Sequence, residues 1–244
     1  VGGDLRPSTP SLKDALIGGL VTSGCHVIDV GTIPTPALYY AKRALHAPGA
    51  VMVTASHNPA RYNGFKLMIG DRPITPETVA DLARAMAANA TPAGTGMVRV
   101  EDVLGAYARS LVPVGRDLRP RRIVVDAGNG SMWQLAPAVL RRAGQAVDPI
   151  FCTPDGSFPN RDPNPAMPEH LTALRERVRA TGADLGIAFD GDGDRVVFVD
   201  ERGEVQPADR VLVLMLRRAL ALDPGGAVVY DQKASSVVAE EALA

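Results

Sequence analysis

Three aspartates alternate with glycines between two apolar runs, and this arrangement constrains the fold more than any other segment. Residues 185–199 read LGIAFDGDGDRVVFV, with Asp190, Asp192 and Asp194 at the centre and Arg195 directly after them. Three carboxylates this close repel one another, so a folded chain seldom gathers them unless a hard cation neutralises the cluster. The apolar, valine-rich flanks favour strands. The segment predicts a strand-loop-strand unit that binds a divalent metal.

Two other interpretations of this loop are possible. Asp190, Asp192, Asp194 and Glu201 also fit the first, third, fifth and twelfth positions of a calcium-binding helix-loop-helix. That motif needs glycine at its sixth position, where this chain has Arg195, and it needs helical flanks. The second alternative is an acidic surface turn that binds no metal.

A serine follows an apolar run in the segment GAVMVTASHNPARYNGFKLM, residues 49–68. Ser56 lies after the predicted strand and before an Asn-Pro turn, so a rigid sheet edge would present its hydroxyl from a loop. A serine hydroxyl is a weak nucleophile and needs a base, a metal or a covalent modification. His57 is adjacent, and the aspartate loop could supply a metal. The alternative is a turn in which Ser56 only bonds backbone groups.

Composition excludes some classes of protein and singles out two lysines. The chain has 244 residues, 46% of them hydrophobic, and a net charge of −1, which predicts a globular protein with no electrostatic case for nucleic acid or membrane binding. Only four residues of the 26 that are basic are lysines. Lys66, close to Ser56, and Lys233, after an apolar run, are therefore candidate sites for a compact positive charge.

The cysteines and the apolar stretches bear on the compartment. Cys25 and Cys152 each lie near apolar residues and are expected to be buried free thiols. Neither a signal peptide nor an apolar stretch of about 20 residues is visible, so a cytoplasmic protein is expected.

Strand and helix patterns alternate along the chain, which predicts an α/β fold with mixed, mostly parallel pairing. Breakpoints at residues 90–96 and 201–207 divide it into segments 1–96, 97–203 and 204–244. Amphipathic helices are predicted at 77–88 and 168–180. The predicted strands lie near residues 25–30, 49–54, 64–69, 122–126, 146–151, 184–189, 195–199 and 226–231.

Several strings in order resemble those of the α-D-phosphohexomutases, most closely the bacterial phosphomannomutase/phosphoglucomutase branch. They are TASHNP with NGFK, then DAGNG, then FPNRDPNP, then FDGDGDR. The resemblance implies consecutive βα domains, the first bearing a phosphoserine at Ser56 and the second a metal. It also implies a Mg²⁺ bound by Ser56 and the three aspartates, namely Asp190, Asp192 and Asp194.

Further roles follow from the same resemblance. Arg6 and Arg195 would lie near the transferring phosphate, and Lys233 would contact substrate. His57 and Lys66 could serve or support proton transfer at the sugar hydroxyls. We expect the glycines of DAGNG and the polar residues of FPNRDPNP to be structural.

The implied activity is the interconversion of hexose 1-phosphate and hexose 6-phosphate, with glucose or mannose as the sugar. A hexose 1,6-bisphosphate would be intermediate and activator, and a phosphosugar the only partner implied. By the resemblance the chain is truncated at both ends, so we expect it to bind Mg²⁺ but to show little turnover alone. The alternatives are a phosphoglucosamine mutase, a metal-dependent phosphatase with Asp190 as nucleophile, and a binding module without activity. The oligomeric state is left open.

Overall fold

A computed structural model describes residues 1–70, 74–88, 92–115 and 118–243. The strands of this part of the chain are β1 Gly2–Gly3, β2 Val27–Asp29, β3 Gly49–Val53, β4 Phe65–Ile69, β5 Val98–Val100, β6 Arg122–Asp126, β7 Ala146–Ile150, β8 Leu185–Phe189 and β9 Val196–Asp200. Its helices are α1 Thr9–Thr22, α2 Thr35–Ala44, α3 Pro76–Ala87, α4 Leu104–Leu111, α5 Leu135–Arg142, α6 Thr172–Thr181, α7 Ala208–Leu222 and α8 Ser236–Leu243. The predicted α/β alternation is confirmed, and the helix predicted at 168–180 begins as a 3₁₀ turn over Pro168–Leu171.

The first sheet has the strand order β1-β3-β4, and β3 lies at its centre. It pairs in parallel with β1 and antiparallel with β4. Met52 and Val53, at the end of β3, are fully buried. Helix α2 contributes Ala37, Leu38 and Ala41 to the hydrophobic cluster that contains Met52. This packing fixes the carboxyl end of β3, where the loop bearing Ser56 begins.

The second sheet has the strand order β7-β6-β8-β9. Strands β7, β6 and β8 are parallel, whereas β9 returns antiparallel to β8. Alternate residues of β6 point to opposite faces: Ile123 and Val125 pack with helix α5, and Val124 packs with helix α6. Both faces are therefore covered, which explains why β6 and β8 read as continuous apolar runs.

Strand β5 bears on the first predicted domain boundary. It pairs in parallel with β2, so residues 98–100 pack with the first segment and not with the second. Val103 also joins the cluster around Met52. The breakpoint predicted at 90–96 lies partly outside the described residues. Residues 98–100 and Val103 thus pack with the first segment, and the division of the chain into domains stays a prediction.

Residues 204–243 form a small helical unit. Helices α7 and α8 pack on each other around Val213, Leu216 and Val238. The strand predicted at 226–231 is wrong: these residues form no strand, and Val229 is 96% exposed. A strand needs a neighbouring strand to pair with its backbone hydrogen-bonding groups. None of the described strands pairs with residues 226–231. No described helix is long and apolar enough to cross a membrane.

The strand-loop-strand unit predicted around the aspartates is confirmed, because strands β8 and β9 flank the loop, and the calcium helix-loop-helix is ruled out. One other expectation is corrected. Cys25 is exposed, not buried, because it lies in the loop that follows α1, before the first buried residue of β2. Cys152 is half-buried, and both thiols are free.

Candidate active site

Ser56 lies on the loop that follows β3, in a backbone conformation rare for a residue with a side chain. Its φ angle is +53°, in the left-handed region. Its backbone N–H donates to Thr54 Oγ1 at 2.8 Å, and its own hydroxyl donates to Asp190 Oδ2 at 2.8 Å. The residue is 8% exposed. The fold therefore directs the Ser56 hydroxyl at the aspartate loop. A turn in which this hydroxyl bonds only backbone groups is ruled out.

The three aspartates lie close together on the hairpin between β8 and β9. Asp190, Asp192 and Asp194 each offer a carboxylate oxygen within 4.8 Å of the others. Asp190 and Asp192 are fully buried, which excludes an acidic surface turn. Asp192 Oδ1 is buried and has no hydrogen-bond partner among the residues that the structure describes. A buried, unpartnered carboxylate oxygen is costly, and oxygen donors of this kind suit a hard divalent cation, so the residues fit a metal site.

The two buried aspartates differ in their electrostatics. Burial and the adjacent charge of Asp192 raise the pKa of Asp190 to about 6. Burial also acts to raise the pKa of Asp192, but hydrogen bonds from Lys66 and Thr35 outweigh it and the pKa is lowered. Asp192 is thus held as an anion beside Asp190.

Lys66, on strand β4, is brought to the aspartate loop as its position after the Ser56 segment suggested. Its Nζ lies 2.6 Å from Asp192 Oδ2 and 2.5 Å from Asp194 Oδ2. Burial acts to lower its pKa, but the two carboxylates outweigh burial and raise it. Lys66 is therefore a fixed positive charge in the site, which argues against a role as proton acceptor near neutral pH.

His57 and Arg195 lie near each other at the mouth of the site. His57 Nδ1 is buried, and no described residue forms a hydrogen bond with it. Burial and the nearby charge of Arg195 lower the pKa of His57. Arg195 is exposed, and its backbone N–H donates to Asp190 Oδ1 at 3.0 Å. A neutral imidazole and an exposed guanidinium are thus both available to a ligand.

The expectation that Arg6 contacts the transferred phosphate is corrected by its surroundings. Arg6 is fully buried, and its Nε donates to Asp4 Oδ2 at 2.9 Å. A guanidinium has five N–H donors, and here all of them are used. The other four donate to the backbone carbonyls of Ser56, Asn58, Pro59 and Tyr62. Arg6 therefore fixes the shape of the Ser56 loop and has no donor left for a phosphate.

A second buried arginine holds the aspartate loop. Arg161 Nε donates to both oxygens of Asp126, at 3.0 and 2.9 Å, and its Nη2 donates to the carbonyl of Phe189 at 2.7 Å. Phe189 immediately precedes Asp190. Phe158, from the same loop as Arg161, lies 5.2 Å from the Arg6 guanidinium, ring centroid to Cζ. The segments DAGNG and FPNRDPNP are thus structural, as expected.

Lys233 is exposed, and its backbone N–H donates a hydrogen bond to Asp231 Oδ1. No contact among the described residues joins its side chain to the site, so its role as a substrate contact stays a prediction.

Thr35 is a residue that the sequence analysis missed. Its hydroxyl donates to Asp192 Oδ2 at 2.6 Å, and its only sequence signal was a helix start after a proline.

Comparison with known proteins agrees with this arrangement. Residues 1–93 match the family described as phosphoglucomutase/phosphomannomutase, alpha/beta/alpha domain I, and residues 106–203 match its domain II. The chain is 42% identical to a phosphomannomutase/phosphoglucomutase of Pseudomonas putida over 96% of this chain and 50% of the relative. It is 40% identical to a probable phosphoglucosamine mutase of Methanothermobacter thermautotrophicus over 98% of this chain and 53% of the relative.

A solved structure gives the same result. A phosphoglucomutase/phosphomannomutase family protein from Burkholderia thailandensis superposes with a TM-score of 0.91 and 34% identity, covering 99% of this chain and 55% of that one. This chain spans about half the length of the curated relatives it matches. With two consecutive domains matched and the fold shared, the chain belongs to the phosphoglucomutase/phosphomannomutase family, within the α-D-phosphohexomutases.

Proposed function

We propose that this chain carries the phosphoryl-transfer centre of a mutase that interconverts hexose 1-phosphate and hexose 6-phosphate, with mannose or glucose as the sugar. Ser56 would carry the phosphoryl group, and a hexose 1,6-bisphosphate would be the intermediate. The observation that carries this proposal is the 2.8 Å hydrogen bond from Ser56 Oγ to Asp190 Oδ2, which puts a serine hydroxyl against a carboxylate cluster suited to a metal.

The transfer balances without an outside reactant. The bond between phosphorus and Ser56 Oγ breaks while a bond forms between phosphorus and a sugar hydroxyl oxygen. The hydroxyl proton passes to a base, and in the return step a phosphoryl group from the other sugar position restores phosphoserine. His57 is our candidate base, because its lowered pKa leaves the imidazole neutral and able to accept a proton near neutral pH.

The metal site supports the same proposal. Asp190, Asp192 and Asp194 would hold Mg²⁺ together with an oxygen on Ser56. Bound Mg²⁺ supplies positive charge to the oxygens of the transferring phosphoryl group. Lys66 and Arg195 add fixed positive charge beside it, Lys66 from within the carboxylate cluster and Arg195 from its exposed position.

Two alternatives to a mannose or glucose phosphate mutase are a phosphoglucosamine mutase and a phosphatase. A phosphoglucosamine mutase keeps the same chemistry, and one relative of that name is 40% identical. We prefer mannose or glucose because the relative with 42% identity carries the corresponding name. A phosphatase with Asp190 as nucleophile is disfavoured, since Asp190 is fully buried and both of its oxygens already accept hydrogen bonds.

The remaining assignments belong to the same proposal. The first domain bears the phosphoserine, the second bears the metal, and residues from 204 onward begin a third. Lys233 would contact the sugar phosphate. A phosphosugar is the partner we propose, and the cytoplasmic location expected from the sequence stays a prediction.

Phosphoryl transfer from the bisphosphate tests the proposal without full turnover. The chain is mixed with Mg²⁺ and the 1,6-bisphosphates of glucose, mannose or glucosamine, and hexose monophosphate release is measured. We expect up to one equivalent from glucose or mannose 1,6-bisphosphate and none from the Ser56→Ala variant. Release that survives Ser56→Ala but is lost in Asp190→Asn would favour the phosphatase. Equal release from glucosamine 1,6-bisphosphate would remove our sugar preference.

A further inference from the structure

The two carboxylate oxygens of Asp192 have different surroundings. Oδ2 accepts hydrogen bonds from Thr35 Oγ1 and from Lys66 Nζ, both at 2.6 Å. Oδ1 is buried and has no hydrogen-bond partner in the described part of the chain. A carboxylate that is held through one oxygen cannot turn freely, so the other oxygen keeps a fixed place. In Asp192 the oxygen that remains for a cation is Oδ1.

Thr35 holds Asp192 at two points. Besides the bond from its hydroxyl, its backbone N–H donates to the Asp192 carbonyl at 2.9 Å. The two residues are 157 positions apart in sequence and lie in different domains of the family. Both are fully buried. This double contact joins the start of α2, in the first domain, to the centre of the metal loop in the second.

Lys66 cannot fix the Asp192 carboxylate as tightly as Thr35 does. The Lys66 side chain is 30% exposed and also bonds Asp194. Lysine has a long stem with many rotamers, whereas the threonine side chain is stiff about its first torsion. Thr35 is thus the rigid contact of the pair.

We propose that Thr35 is a positioning residue for the metal site, which holds Asp192 so that Oδ1 faces the cation and which couples the first domain to the metal loop. The inference rests on the proposed function only in requiring that the aspartate loop binds a divalent cation. Bonds that orient metal ligands are worth about 10- to 100-fold in metal affinity in other proteins.

The test measures Mn²⁺ binding to the purified chain, with Mg²⁺ as competitor. The electron paramagnetic resonance signal of free Mn²⁺ reports how much of the ion remains unbound. Thr35→Val keeps the shape and the backbone bond but removes the hydroxyl donor, and we expect it to weaken Mn²⁺ binding about 10-fold or more. Thr35→Ser keeps the donor and should bind like the unaltered chain. Thr181→Val is the control, because it removes a hydroxyl bonded within α6 to the carbonyl of Arg177 and should change nothing.

A second pair keeps the test sharp if Thr35→Val does not fold. Thr35→Cys and Thr35→Ser differ by one atom, and a thiol is a much weaker donor than a hydroxyl. We expect Thr35→Cys to bind Mn²⁺ more weakly than Thr35→Ser. Equal affinities across all Thr35 variants would overturn the inference and leave the metal site standing. Absence of Mn²⁺ binding in the unaltered chain would overturn the metal site and this inference with it.

Discussion

Ser56 donates its hydroxyl to Asp190 Oδ2 at 2.8 Å, although the two residues are 134 positions apart in sequence. Each follows the end of a buried strand, β3 for Ser56 and β8 for Asp190, and the two strands belong to different sheets. The contact therefore depends on how the two domains pack, and several predictions concern what holds it.

The pKa of Asp190 predicts how stability depends on pH. Because that pKa is raised to about 6, the folded chain keeps a proton that the unfolded chain has released. In a chelating buffer the free energy of unfolding should therefore fall as pH rises from about 4 to about 6, by at most roughly 2 kcal/mol. Asp190→Asn should remove this slope, and Asp14→Asn, an exposed change on α1, should leave it. Urea unfolding across this pH range measures the slope. Equal slopes in the unaltered chain, Asp190→Asn and Asp14→Asn would contradict the prediction.

Loss of the Arg6 guanidinium should destabilise the chain. Arg6→Met leaves the buried Asp4 carboxylate unpaired and frees the carbonyls of the Ser56 loop, which should cost about 3–5 kcal/mol of unfolding free energy. Arg6→Lys should restore little, since lysine lacks the planar fork of donors. Arg61→Met, an exposed change in the same loop, should stay within about 0.5 kcal/mol. Urea unfolding measures the loss of unfolding free energy in both variants. A loss for Arg6→Met as small as that for Arg61→Met would refute the role of Arg6 in fixing the Ser56 loop.

A methyl group at Gly191 should push the two loops apart. A Cβ there would lie 2.6 Å from the carbonyl oxygen of Ser56, closer than carbon and oxygen can approach. We expect Gly191→Ala to lose both Mn²⁺ binding and phosphorylation at Ser56. The control is Gly19→Ala in helix α1, where a Cβ meets nothing within 4 Å, and which should stabilise the chain by about 0.5–1 kcal/mol. Unchanged Mn²⁺ affinity in Gly191→Ala would show that the close approach is not needed.

The two thiols should differ in reactivity. Burial raises the pKa of Cys152 to about 11, so at about pH 8 only about one thiol in a thousand is ionised. Cys25 is exposed and should be alkylated first. Iodoacetamide labelling followed by peptide mass spectrometry checks the order. Labelling of Cys152 before Cys25 in the folded chain would contradict the described burial.

The sequence predicted the site where local pattern determines structure. The apolar run before Ser56 and the valine-rich runs around Asp190 each form strands, and the spacing of the aspartates already implied a metal loop. Lys66 was found through its closeness to Ser56 in sequence, and β3 and β4 pair so as to bring it to the aspartates. These features depend on residues close together in sequence, so the local pattern was enough to predict them.

Long-range contacts could not be predicted in this way. The five donors of Arg6 are fully used only because four carbonyls at least fifty residues away accept from them, and no pattern near Arg6 in sequence predicts those contacts. Thr35 meets Asp192 only because two domains pack together. The run at 226–231 has strand composition, but composition supplies no partner strand, and none of the described residues provides one.

Peptide mass spectrometry of the chain, after incubation with Mg²⁺ and glucose 1,6-bisphosphate, would show which residue carries the phosphoryl group. We expect one phosphate on the peptide that contains Ser56, stable to hydroxylamine as a phosphate ester is, and absent from Ser56→Ala. A phosphate on the peptide that contains Asp190, released by hydroxylamine as an acyl phosphate is, would contradict the proposed phosphoserine and assign the chain to aspartate-based phosphoryl chemistry.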